Sequence, residues 1–349
     1  MSISDYEAGS IALGSGATSA TDTLATTVTQ GNSILNCSVS GGSNSAQEQN
    51  IRVALSGGTT VTATRTNSGS AATIQHQVIE SASFTVQHFD VAVTGAGVTN
   101  VAISAVDTAY SFIIPCGVSR AGGTRGNDDF AAIEITTSTN VAIEFNSAGT
   151  ARTVAFQVVE MSSSEIASVN LYKITQDALA KDTTITSVNT AKTLMFCSAR
   201  FNAGAGGTVL QNDYFPHAEL TSSTNLRLNS RATSTDLKTW VYVVEFVNLS
   251  VTHNKASTAG ATTTEVLGGA PTYGGAVING IYGRYSTAND TDDDSLEGMW
   301  SAALSGSTWT FTRGASTVTG DISYTVFDWN DIFAAPTGLP SQIMLMGVG

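Results

Sequence analysis

Charged side chains are scarce. Asp, Glu, Lys and Arg together make up 12% of the 349 residues, about half the share of an ordinary globular chain, ~25%. What charge there is leans acidic, with 28 Asp and Glu against 15 Lys and Arg and a formal net charge of −13. That balance excludes nucleic acid and an anionic membrane surface as main partners, because both are recognised through clustered Lys and Arg. No apolar run is long enough to cross a bilayer, so no membrane insertion is expected. Cysteine is limited to Cys37, Cys116 and Cys197, far from any C-x-x-C spacing, which argues against a disulfide framework and a zinc knuckle. The opening MSISDYEAGS has neither the basic nor the apolar part of a secretory leader, so the chain is expected in a reducing cytoplasm or to leave it by another route. The four histidines, His76, His88, His217 and His253, fit no metal or catalytic spacing. No nucleophile elbow or phosphate-binding Gly-rich loop occurs either, so no enzyme and no cofactor are expected. Helical periodicity is also missing. The best helix candidate, Gln176–Lys181, is too short to matter.

What is present is a repeat. An apolar strand ends in an acid at Glu80, Glu160, Glu245 and Asp328, a period of about 80 residues. A second phrase, LSGGTTV from Leu55, returns from Ile135, Leu220 and Leu304. A third, ILNC at Cys37, returns as IIPC at Cys116, LMFC at Cys197 and VING at Gly280. Within each copy short runs alternate apolar and polar, as in Ile74, His76 and Val78, and are separated by Ser, Gly, Asn and Thr turns. Apolar residues reach 42% and follow these patterns, which excludes disorder. The sequence therefore predicts an all-β chain of four tandem small antiparallel β-sandwich repeats, Ig-like or jelly-roll-like. The anchors place them at 1–81, 82–162, 163–246 and 247–331, followed by an apolar tail over 332–349. In the first copy strands are expected over Ser10–Leu13, Thr21–Val28, Ser33–Val39, Asn50–Leu55, Thr59–Thr64 and Ala72–Glu80, half-buried by their period of two.

Several residues invite a chemical reading. The repeated acids resemble catalytic carboxylates, but a glycosidase needs two of them in one cleft. One acid per repeat instead predicts a carboxylate accepting backbone N–H bonds where the chain crosses to the next repeat. The cysteines sit mid-strand among Ile, Leu, Met and Phe and are expected to be core residues, unpaired because they belong to separate cores. Asp290, Asp292 and Asp294 form the one dense acidic cluster. It is a weak Ca²⁺ candidate, weighed against a solvated loop, since the EF-hand places for Gly and Glu hold Ser295 and Ser301. The loop after the cysteine strand varies most between copies, which suits recognition and drift equally well. All five lysines fall in or beside the third copy. At the end of the chain Ile343, Met344, Leu345 and Met346 form an apolar run that needs cover from its own chain or from another subunit, an assembly element in the second case.

GSIALGSGATSATDTLATTV with ILNC, RVALSGGTTVTATR and QHQVIE, and the second copy AAIEITTSTNVAIEFN with FQVVE, resemble the tandem β-sandwich repeats of tailed-bacteriophage virion proteins. The likeness runs from about Gly9 to Trp329 and is weaker in copies three and four. It implies a virion location and a non-enzymatic structural role, as a capsid decoration or tail-associated component. The expected partners are other virion proteins and further copies of the chain, as a homo-oligomer. The alternative it leaves is a receptor-binding tail fibre that recognises host surface glycans.

Overall fold

In a computed structural model of the chain the described residues are 2–41, 50–121, 130–146, 151–200, 216–230, 237–280, 300–314 and 320–333. The Ca²⁺ candidates Asp290, Asp292 and Asp294 and the assembly candidates Ile343, Met344, Leu345 and Met346 lie outside them.

Six consecutive strands make one unit. In the first, β1 (Asp5–Leu13), β6 (Ala72–Glu80) and β3 (Ser33–Gly41) form one antiparallel sheet, with β6 in the middle. The second sheet has β5 (Thr60–Thr64) between β2 (Ser19–Thr23) and β4 (Arg52–Ser56). Only β4 and β5 are joined as a hairpin; every other connection crosses between sheets, which is a jelly-roll wrap rather than an Ig one. The order repeats three times. The second unit has β7 (Thr85–Val93), β8 (Gly97–Ala102), β9 (Ser111–Arg120), β10 (Ala132–Thr137), β11 (Asn140–Phe145) and β12 (Arg152–Glu160). The third has β13 (Ile166–Thr175), β14 (Ala180–Thr184), β15 (Thr193–Arg200), β16 (His217–Ser222), β17 (Asn225–Asn229) and β18 (Lys238–Phe246). The fourth has β19 (Val251–Thr258), β20 (Thr262–Val266), β21 (Gly274–Ile278), β22 (Trp300–Ser305), β23 (Thr308–Arg313) and β24 (Gly320–Asp328). The chain is thus all-β, built of repeated small β-sandwiches. Gln176–Lys181 is no helix; it leads into β14 through an extended turn.

The units close on one another. The cysteine strands meet in a cycle, β3 beside β9, β9 beside β15, β15 beside β21 and β21 beside β3. The first strand of each hairpin packs on the following unit, β4 on β9 and β12, β10 on β15 and β18, β16 on β24, and β22 back on β3 and β6. Ring closure explains why the half-buried expectation fails for the long sheets. Alternate residues of β3 and β6, such as Leu35, Val39, Ile74 and Val78, fill the first sandwich. Ile34 and Ile79, on the opposite face, join a central cluster with Leu194, Val244, Val277 and Phe327 from other units. The middle strands are thus buried on both faces, so that β18 is apolar from Trp240 to Val244, whereas the first strand of each long sheet keeps exposed residues.

Edge strands must satisfy their free N–H groups. Here the next unit does it. Ile133 N donates to Ser198 Oγ at 3.1 Å, Ala218 N to the Asn279 carbonyl at 2.7 Å and Ala302 N to Ser38 Oγ at 3.0 Å. These three donors occupy the same place in successive hairpins. Between the last unit and the first, the hydroxyls of Ser40 and Ser301 are 2.8 Å apart and Tyr6 Oη donates to the Gly274 carbonyl at 2.8 Å.

Candidate functional site

Each repeated acid has a structural task. Glu80 Oε1 accepts from Thr29 N at 2.8 Å, Glu160 Oε1 from Asp107 N at 2.8 Å and Glu245 Oε1 from Asn189 N at 3.1 Å. Asp328 accepts from Thr272 N, Tyr273 N and Asn330 N. The carboxylate does bind backbone N–H groups, but mainly those of the turn before the cysteine strand of its own unit, not those at the crossing to the next. The turn is then locked from its other side, since the hydroxyls of Ser33, Ser111 and Thr193 donate to the carbonyls of Thr29, Asp107 and Asn189. Asp328→Ala is expected to cost about 1–2 kcal/mol, and Asp328→Asn, which keeps one acceptor, about half as much. Urea unfolding of the two variants measures both.

Two histidines tie turns to the following unit. His88 Nε2 on β7 lies 3.1 Å from the Gln30 carbonyl and 3.0 Å from that of Ser33. His253 Nε2 on β19 lies 2.9 Å from the Thr190 carbonyl, while Thr325 Oγ1 lies 2.7 Å from Nδ1. Carbonyls only accept, so Nε2 carries the proton in both rings. His76 is buried in the first sandwich with Nε2 2.9 Å from Asp22 Oδ2. Burial lowers the pKa of all three, and it pushes that of His217 down to about 3, helped by the Lys255 charge. A histidine depressed on folding stabilises fully above its unfolded pKa, and that stability is lost as pH falls towards the folded value. From pH 6.5 downwards His217 alone is expected to remove about 1.4 kcal/mol per pH unit. Stability measured from pH 7 to pH 4.5 should fall at least this steeply, and His217→Gln should remove the His217 share of the slope.

Cavities lie between units. A cleft of about 170 Å³ between the first and second includes His88, Asp90, Cys116 and Gln157 in its lining. Its counterpart between the third and fourth, about 210 Å³, includes Glu219, His253, Lys255 and Asn279. At the ring centre a cavity of about 30 Å³ is lined from all four units, with Cys37, Pro115, Phe196, Cys197 and Val277 among its walls.

The cysteines differ from one another. Cys197 is buried, its thiol pushed up to about 12 by that burial. Cys116 is buried and Cys37 only partly so. Cys37 and Cys197 pair in register with His76 and Val241, whereas β9 carries a β-bulge at Cys116. Pro115 pairs with Phe156 and Gly117 with Ala155, leaving Cys116 as the extra residue. Its thiol lies 3.6 Å from the Ile114 carbonyl, and the neighbouring Cys37 together with burial holds it well above the ordinary thiol range. The expectation of separate cores holds for Cys197, in the third sandwich, and is corrected for Cys37, which packs against both the first sandwich and the central cluster that holds Cys116.

Gln157, one strand over, holds this junction. Its Oε1 accepts from Leu35 N at 2.8 Å, and its Nε2 lies 2.6 Å from the Leu35 carbonyl and 3.0 Å from Cys116 Sγ. In the third unit Tyr242, at the same repeat position, accepts from Ile135 N at 2.8 Å. Arg52 reaches Ser119 and Asp90 across the first junction, and Lys173 pairs with Glu134 at 2.5 Å across the second. Sequence reasoning singled out none of these junction residues. The available signal was the recurrence of His88 and His253 two repeat periods apart. Among the described residues no group of three or more His, Cys, Asp or Glu side chains is placed to hold a metal ion, and no helix is long and apolar enough to cross a membrane. No protein-family model matches the chain, and no curated protein matches it.

Proposed function

We propose that the chain is a non-enzymatic structural component of a tailed-bacteriophage virion, a capsid decoration or tail-associated subunit that binds other virion proteins and further copies of itself. The observation that carries this reading is the commitment of the repeat's polar chemistry to holding a ring. The acids hold turns, His88, His253 and Gln157 hold junctions, and the hairpin edges are met by the next unit. A rigid block with few charges has little like-charge repulsion to oppose assembly. The sequence resemblance supplies the virion setting.

A glycan-binding fibre is the second reading. The strands β3, β9, β15 and β21, each of which precedes a variable loop, hold the same place in the four units.

Immunogold imaging of purified particles with an antibody to this chain separates the readings. Label in regular positions on the capsid or tail body supports the structural role. Label confined to fibre tips, with glycan binding by the isolated protein, supports the second. Particles that lack the chain altogether would overturn both.

A further inference from the structure

We infer that the cleft between the third and fourth units is a binding site for an uncharged sugar residue, a site that deepens the glycan-binding reading and rests on it for the natural ligand. The clue is an ion pair that does not close. Asp90, Lys173 and Lys255 hold one repeat position, opposite Ala155, Trp240 and Ser323. Each meets an opposite charge across a junction. Asp90 contacts Arg52, and Lys173 Nζ lies 2.5 Å from Glu134 Oε2. Lys255 Nζ stops 3.9 Å from Glu219 Oε2, too far for a hydrogen bond. There the cleft of about 210 Å³ opens, with both charges in its lining.

A second observation comes from the wall beneath the charges. Thr325 Oγ1 accepts from Asn279 Nδ2 at 3.0 Å and lies 2.7 Å from His253 Nδ1 and 3.2 Å from Asn279 Oδ1. Nε2 carries the His253 proton, so Nδ1 and Oδ1 are both acceptors. The Thr325 hydroxyl has one hydrogen for the two. One acceptor is therefore left without a donor among the described residues. His253 and Asn279 both line the cleft, and Asn279 is only 1% exposed. A buried acceptor without a donor is costly, which favours a ligand that brings a hydroxyl. The two charges in the lining cancel, which favours a ligand with no net charge. A hydroxyl set between them accepts from Lys255 and donates to Glu219. Leu220 and Met195 add apolar surface for ring C–H groups. Several hydroxyls on an uncharged ring with apolar faces describe a pyranose. The cleft at the first junction lacks this chemistry, because Arg52 occupies Asp90 and Ala54 stands at the Glu219 position.

Saturation-transfer NMR on the folded full-length protein tests the site. The probes are glucose, galactose, mannose and N-acetylglucosamine, with glucosamine and N-acetylneuraminic acid as charged comparisons. At least one uncharged sugar should bind, and more tightly than either charged one. Lys255→Met and Glu219→Gln should each weaken that binding by about tenfold, the worth of one charge-assisted hydrogen bond. Both side chains are partly exposed, so neither variant leaves a buried void. Asp90→Asn, at the first cleft, should leave the binding unchanged. Binding that survives either substitution in the third junction would overturn the site while the glycan-binding reading stood. No binding of any uncharged sugar, or tighter binding of a charged one, would also overturn the site. The glycan-binding reading itself fails separately, when particles carry no label at fibre tips.

Discussion

Gly117→Ala is expected to destabilise the fold by about 3 kcal/mol. Gly117 has φ +107°, a left-handed conformation that glycine alone adopts without strain. Strain is only part of the cost. A Cβ on Gly117 would collide with the Ile51 carbonyl oxygen and crowd the Arg52 Cα, both backbone atoms of the first unit. A flexible side chain could move aside, but these atoms belong to the strand that docks on β9. The damage therefore falls on the first junction. Gly306 makes the control, because it also has positive φ, +60°, yet a Cβ there meets nothing within 4 Å. Gly306→Ala should cost about 1 kcal/mol. Equal losses for the two variants in urea unfolding would contradict this account of the junction.

Gln157→Leu is the second large effect, also about 3 kcal/mol. Leucine keeps roughly the volume but removes both partners of Leu35, whose N–H and C=O then lie buried without their cross-unit bonds. Each unmet buried group costs about 1–3 kcal/mol. Gln157→Glu discriminates between packing and hydrogen bonding. A carboxylate still accepts from Leu35 N, but it faces the Leu35 carbonyl with no donor and carries a charge into a buried site. It should therefore be at least as damaging as Gln157→Leu at neutral pH. If Gln157→Glu were as stable as the parent, the amide clamp would not be holding the junction.

Much of the fold was legible because strand patterns are local. The expectation for Ala72–Glu80 matches β6, and that for Thr59–Thr64 differs from β5 by one residue, because alternation and turn residues set both. The expected Thr21–Val28 strand is instead Ser19–Thr23, and β1 starts at Asp5 rather than Ser10. In the first place Thr and Ala suit strand and turn alike, in the second Asp5, Glu7 and Gly9 hide the strand, and pairing with β5 and β6 decides. The backbone role of the acids was legible from their recurrence; their partners in the preceding turn were not, since those lie some fifty residues away. Ring closure was invisible for a further reason. Period two says that a strand has two faces, not what covers the second. The apolar runs LMFC and VYVV record that cover, but a buried strand in a lone sandwich would read the same way. Cys116 is the buried core residue expected, but its bulge was not legible, because a bulge changes which way a residue points without changing its neighbours in sequence.

Closure between the last unit and the first is the central claim, and a cross-link tests it most directly. Ser40 and Ser301 lie far apart in the chain, yet their hydroxyl oxygens are 2.8 Å apart. Ser40→Cys and Ser301→Cys are introduced together, the folded protein is oxidised with diamide, and linked peptides are identified by mass spectrometry. The ring predicts a link between positions 40 and 301 within one chain, formed in the native protein and lost when urea precedes the oxidant. No such link under native conditions, or one found only between two chains, would contradict the closed ring.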